Sequence, residues 1–249
     1  MIYQVMCMKH LINYGQYFII SVVLIVMVFL NVRFSDAPVS NITHDYPLII
    51  IDAGHGGMDG GAVAADGTQE QYINLSIALK MNEYLTDKGY KTLLVRDDDN
   101  SIHDESAKTI REQKVSDIRN RLKISEQYDN SIFVSVHQNM FTESKYHGTQ
   151  VFFSPNNPES EVLASHIQQS VVSKLQPDNT RQIKKCDKSV YLMYNTNAVA
   201  VLCECGFLSN NDELAKLKDD NYQKSIAAAI CDGIIEYINN SVECSTDGY

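Results

Sequence analysis

Basic residues are in short supply: the 249-residue chain has 21 Lys and Arg against 31 Asp and Glu, a formal charge of −10. A phosphate-binding surface needs clustered Lys and Arg, so this balance argues against nucleic acid as a partner. No block of like charge is long enough to act as a binding tail, and internal repeats and low-complexity tracts are absent. The six cysteines include no C-x-x-C pair, which leaves a cysteine zinc cluster without support. There is no H-E-x-x-H helix, so the common metalloprotease signature is missing. What remains, at 44% hydrophobic and 21% charged, suits one globular α/β domain with an appendage.

The appendage is Tyr17 to Val32, nearly all apolar, preceded by Lys9 and His10 and followed by Arg33. As a helix it would span ~24 Å, short of the ~30 Å hydrocarbon core. It therefore reads as a signal-peptide core or a short membrane anchor. Ser35-Asp36-Ala37 has the small-x-small form of a cleavage site, but Pro38 directly after it hinders cleavage and favours the anchor. The expected organisation is a signal-anchor segment over 1–34, a linker over 35–46, a catalytic domain over 47–241 and a tail over 242–249. Cys203, Cys205 and Cys231 lie in apolar runs, where a free thiol behaves as a small hydrophobe. Cys186 and Cys244 are left as candidates for a disulfide.

From Leu48 onward, strand-like apolar runs alternate with helical patterns. The strand candidates are Leu48–Asp52, Thr92–Val95, Ile132–Val136, Gln150–Phe153, Val190–Met193 and Ala198–Cys203. Helices are expected over Glu70–Leu85, Arg111–Gln127, Glu159–Leu175 and Ser225–Ile238; the second has Val115, Ile118, Leu122 and Ile124 as its apolar side. Such alternation predicts a mostly parallel sheet of about six strands, covered by helices on both faces.

Ligand sites in such sheets collect at the carboxyl ends of the strands. Three of these strands end abruptly in chemistry: Asp52-Ala53-Gly54-His55, then Val136-His137-Gln138-Asn139, then Cys203-Glu204-Cys205-Gly206. The first runs into five glycines within eight positions, which lets the backbone approach a ligand closely. Glu70, opening the first helix, completes a set of two histidines and two glutamates on one rim. Two imidazoles and one carboxylate make a three-ligand zinc site with an open position, and a second carboxylate can shuttle the proton of an amide hydrolysis. The spacing alone does not say which glutamate is ligand and which is base.

The stretch Ile51-Asp52-Ala53-Gly54-His55-Gly56-Gly57-Met58-Asp59-Gly60-Gly61-Ala62 resembles the opening motif of the zinc-dependent N-acetylmuramoyl-L-alanine amidases. Glu70 with Asn74-Leu75, Ser135-Val136-His137-Gln138-Asn139, and Glu204-Cys205-Gly206-Phe207-Leu208-Ser209-Asn210 resemble the later motifs in order. The resemblance implies a six-stranded α/β fold, with His55, Glu70 and His137 as Zn2+ ligands and Glu204 as the catalytic glutamate. Within the family, the chain is similar to the sporulation-type amidases. These strip peptide stems from muramic acid so that muramic-δ-lactam can form in spore cortex. Lys114–Arg121, Gly148–Phe153, Asn179-Thr180-Arg181 and Val190–Met193 carry that finer likeness. It implies peptidoglycan as substrate. The apolar N-terminal segment places the domain outside the cytoplasm, anchored at the membrane or secreted, and the exposed substitutions near the cleft leave room for an activating protein partner.

Arg96 and Arg121 are candidates to meet substrate carboxylates bidentately; the alternative is pairing with acidic neighbours such as Asp97 or Glu126. Asn139, His147 and Gly148 are further substrate-binding candidates. Gln138 and Met140 stand where the family has smaller residues and are expected to narrow the cleft. Cys203 and Cys205 should point away from Glu204 by strand alternation. Rival readings are a zinc peptidase or deacetylase acting on another bond of the same polymer, and a weakly active wall- or partner-binding domain.

Overall fold

The computed structural model describes residues 46–246, with side chains to residue 241. The apolar segment and most of the linker lie outside the described residues. No described helix is long and apolar enough to cross a membrane.

Strand β1, Leu48–Ala53, is followed by helix α1, Glu70–Asp87, and the short strand β2, Thr92–Leu94. Helix α1 buries Ile73, Ile77, Met81 and Leu85, which recur at three- and four-residue spacing on one face. Helix α2, Ile110–Ser125, starts on a capping box in which Thr109 and Glu112 satisfy each other's backbone N–H groups. Strand β3, Ser131–Asn139, and β4, Gln150–Phe153, precede α3, Glu159–Lys174. A two-residue strand β5, Lys184–Lys185, leads to α4, Tyr191–Asn195, then β6, Val199–Phe207. Helices α5, Asn211–Lys218, and α6, Asp220–Thr246, close the described chain.

The sheet order is β2-β1-β3-β6-β4-β5. All neighbours are parallel except β4, which runs antiparallel to β6. The expected mostly parallel six-stranded sheet is therefore present. Alternation along the strands divides the core. Ile49, Ile51, Val134, Val201 and Cys203 face the larger cluster with α1, α3 and α6, whereas Ile50, Phe133, Ala200 and Leu202 face a smaller one toward α2 and α4. Cys205 and Cys231 join the larger cluster as small apolar groups, as the sequence suggested. Cys186 is buried as a free thiol.

Three expectations need correction. Val190–Met193 is not a strand: Tyr191 to Asn195 form helix α4, with Leu192 and Met193 buried and Tyr191 outward. The edge position belongs to Lys184–Lys185, whose exposed lysines carry no apolar signal. On α2, Val115 is exposed and the buried positions include Asp117 and Arg121, a charged pair that hydrophobic periodicity passes over.

Candidate active site

Asp52, Ser135, His137 and Glu204 rise from the smaller-core face at the carboxyl end of the sheet. Register places His137 beside Glu204 on the adjacent parallel strands β3 and β6. Glu70 reaches the same rim from the first turn of α1. Its carboxylate bridges both histidines: Oε1 lies 2.9 Å from His137 Nδ1 and Oε2 lies 3.2 Å from His55 Nε2. One donor atom from each of His55, Glu70 and His137 falls within 4.8 Å of the others.

The backbone is pressed against this set. A Cβ on Gly54 would overlap the His137 ring, and one on Gly61 would sit 2.5 Å from Glu70 Oε2 and 2.7 Å from His55 Cδ2. Gly61 also has φ +68, in the left-handed region. His55 itself has φ 64, a conformation uncommon for a residue with a Cβ. Arg121 secures that turn by donating to the carbonyls of Ala53 (2.9 Å) and His55 (2.5 Å). It also pairs with Asp52 and with Asp117 (2.7 Å), while Ser135 donates to the other Asp52 oxygen at 2.6 Å. Arg96 braces the same turn, donating to the carbonyls of Ala53, Gly54, Gln71 and Asp98.

Both arginines are nearly fully buried. Their donors go to the backbone and, for Arg121, to Asp52 and Asp117. The geometry makes them internal braces rather than the expected substrate clamps; the acidic-pairing alternative holds for Arg121, with Asp52 and Asp117 as the partners in place of Asp97 or Glu126, while Arg96 donates to backbone carbonyls. Gln138 requires correction too. It is buried on the opposite face, where Nε2 donates to Asn74 Oδ1 at 3.1 Å, so it does not narrow the cleft. The exposed residue beside it is Met140.

Asp59, in the glycine-rich turn after β1, also reaches the site, a role that its place in the sequence does not signal. Its Oδ2 accepts from His55 Nδ1 at 3.0 Å, and its Oδ1 accepts from Lys114 Nζ at 2.7 Å. A carboxylate on Nδ1 fixes the imidazole orientation and leaves Nε2 for a metal. Burial disfavours the His55 imidazolium, but hydrogen bonds to Asp59 and Glu70 outweigh it and raise the pKa to about 9. Burial works against the Glu70 carboxylate as well, yet the two histidines hold it far below the usual range. Glu204 behaves oppositely. Burial, helped by the Glu70 charge and opposed by His137, pushes it up to about 7. Its Oε2 is buried with no hydrogen-bond partner.

The donor set fits a divalent metal. Two imidazoles and a carboxylate converge, one imidazole has an orienting carboxylate behind it, and a further carboxylate stands beside them with an unpaired oxygen. A cleft of about 310 Å³ opens there, lined by His55, Asp59 and His137 on one side and by Val190, Tyr191 and Leu192 on the other. The other candidates fall elsewhere. Asn139 ends β3, with its carbonyl bonded to the Leu208 N–H at 2.8 Å. His147 and Gly148 line a separate cavity of about 220 Å³ near Gln176 and Tyr222, and Gly148 N–H donates to Glu213 at 2.9 Å.

The pattern that defines the N-acetylmuramoyl-L-alanine amidases matches residues 49–236. The chain belongs to that family. The amidase is 33% identical over 190 residues to the germination-specific N-acetylmuramoyl-L-alanine amidase of Bacillus subtilis, covering 76% of this chain and 79% of that one. It also resembles the CwlD amidase of Clostridioides difficile, solved in complex with the GerS lipoprotein. There the identity is 40% and the TM-score 0.75, covering 78% of this chain and 99% of that one. An N-acetylmuramoyl-L-alanine amidase of Clostridium difficile 630 superposes with TM-score 0.67 at 25% identity, covering 78% and 97% of the two chains. The cleft is accordingly that of a hydrolase acting on the muramoyl–alanine amide of peptidoglycan.

Proposed function

We propose that this amidase is zinc-dependent, with His55, Glu70 and His137 as ligands and Glu204 as the general base and acid. The observation that carries the reading is the Glu204 carboxyl, held beside His137 with a buried oxygen that has no hydrogen-bond partner. Zinc, when bound, supplies a Lewis acid that polarises the scissile carbonyl and activates water for attack. Glu204 takes the proton of the attacking water and returns it to the departing alanine nitrogen, as a general base and then a general acid. Asp59 keeps His55 in the tautomer that presents Nε2, and the Arg96 and Arg121 braces keep the turn in place.

The finer role proposed is removal of peptide stems in spore cortex, permitting muramic-δ-lactam to form. Likeness to the germination-specific enzyme of Bacillus subtilis supports it. The enzyme works outside the cytoplasm, held at the membrane or exported through its N-terminal segment. The resemblance to a structure containing a lipoprotein supports a protein partner. Digesting purified cortex peptidoglycan with the zinc-loaded enzyme and analysing products by mass spectrometry tests the reading. Free stems beginning with L-alanine are expected. Acetate or free D-alanine in their place would transfer the activity to another bond of the polymer.

A further inference from the structure

Register extends the catalytic row by one strand. His137 on β3 pairs with Glu204 on β6, and Glu204 pairs in turn with Gln150 on β4. Directly opposed residues of an antiparallel pair project to the same face, about 5 Å apart at Cα. Gln150 therefore stands next to Glu204 on the same face of the sheet. Its Oε1 accepts from Arg181 Nη1 at 2.9 Å, while its Nε2 donates to the Gln182 carbonyl at 2.8 Å.

Arg181 is held in one pose by neutral groups alone. Nε donates to the His147 carbonyl at 2.8 Å, and the guanidinium lies over the Phe207 ring, 4.5 Å from its centroid. Among the described residues it forms no ion pair and Nη2 makes no hydrogen bond, although acidic residues outnumber basic ones. Arg96 and Arg121, by contrast, spend their donors internally. A pre-positioned guanidinium with an unused edge matches a planar carboxylate. Peptidoglycan stems carry such a group: the residue after L-alanine is an isoglutamyl unit whose α-carboxyl is free in some walls and amidated in others.

We infer that Arg181, oriented by Gln150 and stacked on Phe207, binds the free carboxylate of the second stem residue and makes the enzyme select acidic over amidated stems. The inference rests on the proposed centre of His55, Glu70, His137 and Glu204. It places the peptide side of the cleft over β4 and the muramic side toward α4.

The test compares kcat/KM on two soluble substrates, N-acetylmuramoyl-L-alanyl-D-isoglutamate and its isoglutamine counterpart, for wild type and for Arg181→Met and Arg181→Lys in the zinc-loaded full chain. A charge-assisted hydrogen bond gives about 10- to 100-fold preference for the acidic substrate in wild type. Arg181→Met should erase that preference by lowering only the acidic rate, and Arg181→Lys should keep part of it. Equal loss on both substrates would make Arg181 structural and overturn the assignment. Unchanged selectivity in Arg181→Met, with both substrates still cut, would overturn it while leaving the metal centre intact. Wild-type protein that binds zinc yet cleaves neither substrate would remove the centre itself, and the inference with it.

Discussion

Glu204 and His137 occupy paired register positions on adjacent parallel strands, so the proposed base stands beside a proposed ligand by the geometry of the sheet. Neither side chain depends on a mobile loop for its place. Replacing Glu204 by Gln keeps the shape and removes only the proton acceptor. Amide hydrolysis should fall by about 10²- to 10⁴-fold. Zinc content, measured by elemental analysis of the purified protein, should remain at one ion per chain. Full activity in Glu204→Gln would assign proton transfer to another group.

The same carboxyl makes the stability of the metal-free protein pH-dependent. Burial raises its folded pKa from the ordinary carboxylate range to about 7. Folding favours the protonated form, so the contribution is complete below the unfolded value and is lost as pH rises through the folded one. Glu204→Gln removes this dependence. In chelator, the variant should match wild type near pH 4 and exceed it by about 3 kcal/mol at pH 8. Denaturant titrations at both pH values measure the difference; identical curves at pH 8 would mean that Glu204 is hydrated in solution.

Much of this site could be read from the chain because strand ends in a parallel sheet announce themselves. Apolar runs ending in His55, His137 and Glu204 have few explanations when charge beside a buried strand is costly. The roles of Arg96 and Arg121 were not legible in that way. A substrate clamp and an internal brace use the same residue type, and only the positions of the Ala53, Gly54 and His55 carbonyls separate them. Asp59 sits in a glycine-rich turn, where it reads as turn chemistry, and its bond to His55 depends on an unusual φ. The edge strand is not legible because two exposed lysines have no strand pattern, while the apolar run Val190–Met193, which enters a helical turn, looks like one.

Asp59 should matter to metal affinity more than its exposure suggests. Its hydrogen bond to His55 holds its carboxyl well below the usual range despite partial burial. Asp59→Asn leaves a weaker acceptor, and Asp59→Ala leaves none. Loss of an orienting partner typically costs about 10- to 100-fold in affinity. Competition against a fluorescent zinc chelator should rank wild type above Asn and Asn above Ala. Equal affinities would show that packing alone orients His55.

The described cysteines should be inert. Burial pushes the Cys186 thiol up to about 12, with the nearby Asp187 charge adding to it, so at pH 8 almost none is thiolate. Cys203, Cys205 and Cys231 are fully buried and shifted further in the same direction. Alkylation of the native protein at pH 8 should leave all four unmodified by peptide mass mapping, whereas the same reagent in denaturant should label each. Rapid labelling of Cys186 in the native state would show that the wall around α4 opens.

Arg121 joins stability to catalysis. It is buried against Asp52 and Asp117 and also donates to the carbonyls of Ala53 and His55, on either side of the Gly54 that lies against His137. Removing one partner of a buried ion pair leaves an uncompensated charge, here Asp52, and costs ~3–5 kcal/mol. Arg121→Met should destabilise the protein by that amount, and adding Asp52→Asn should recover part of it by discharging the orphan. The recovered stability should not restore activity, because no donor then holds the His55 carbonyl and the left-handed turn relaxes. Melting curves for the single and double variants, set beside their zinc affinities, separate the two effects. A double variant that regains both stability and wild-type zinc binding would show that the turn holds without its brace.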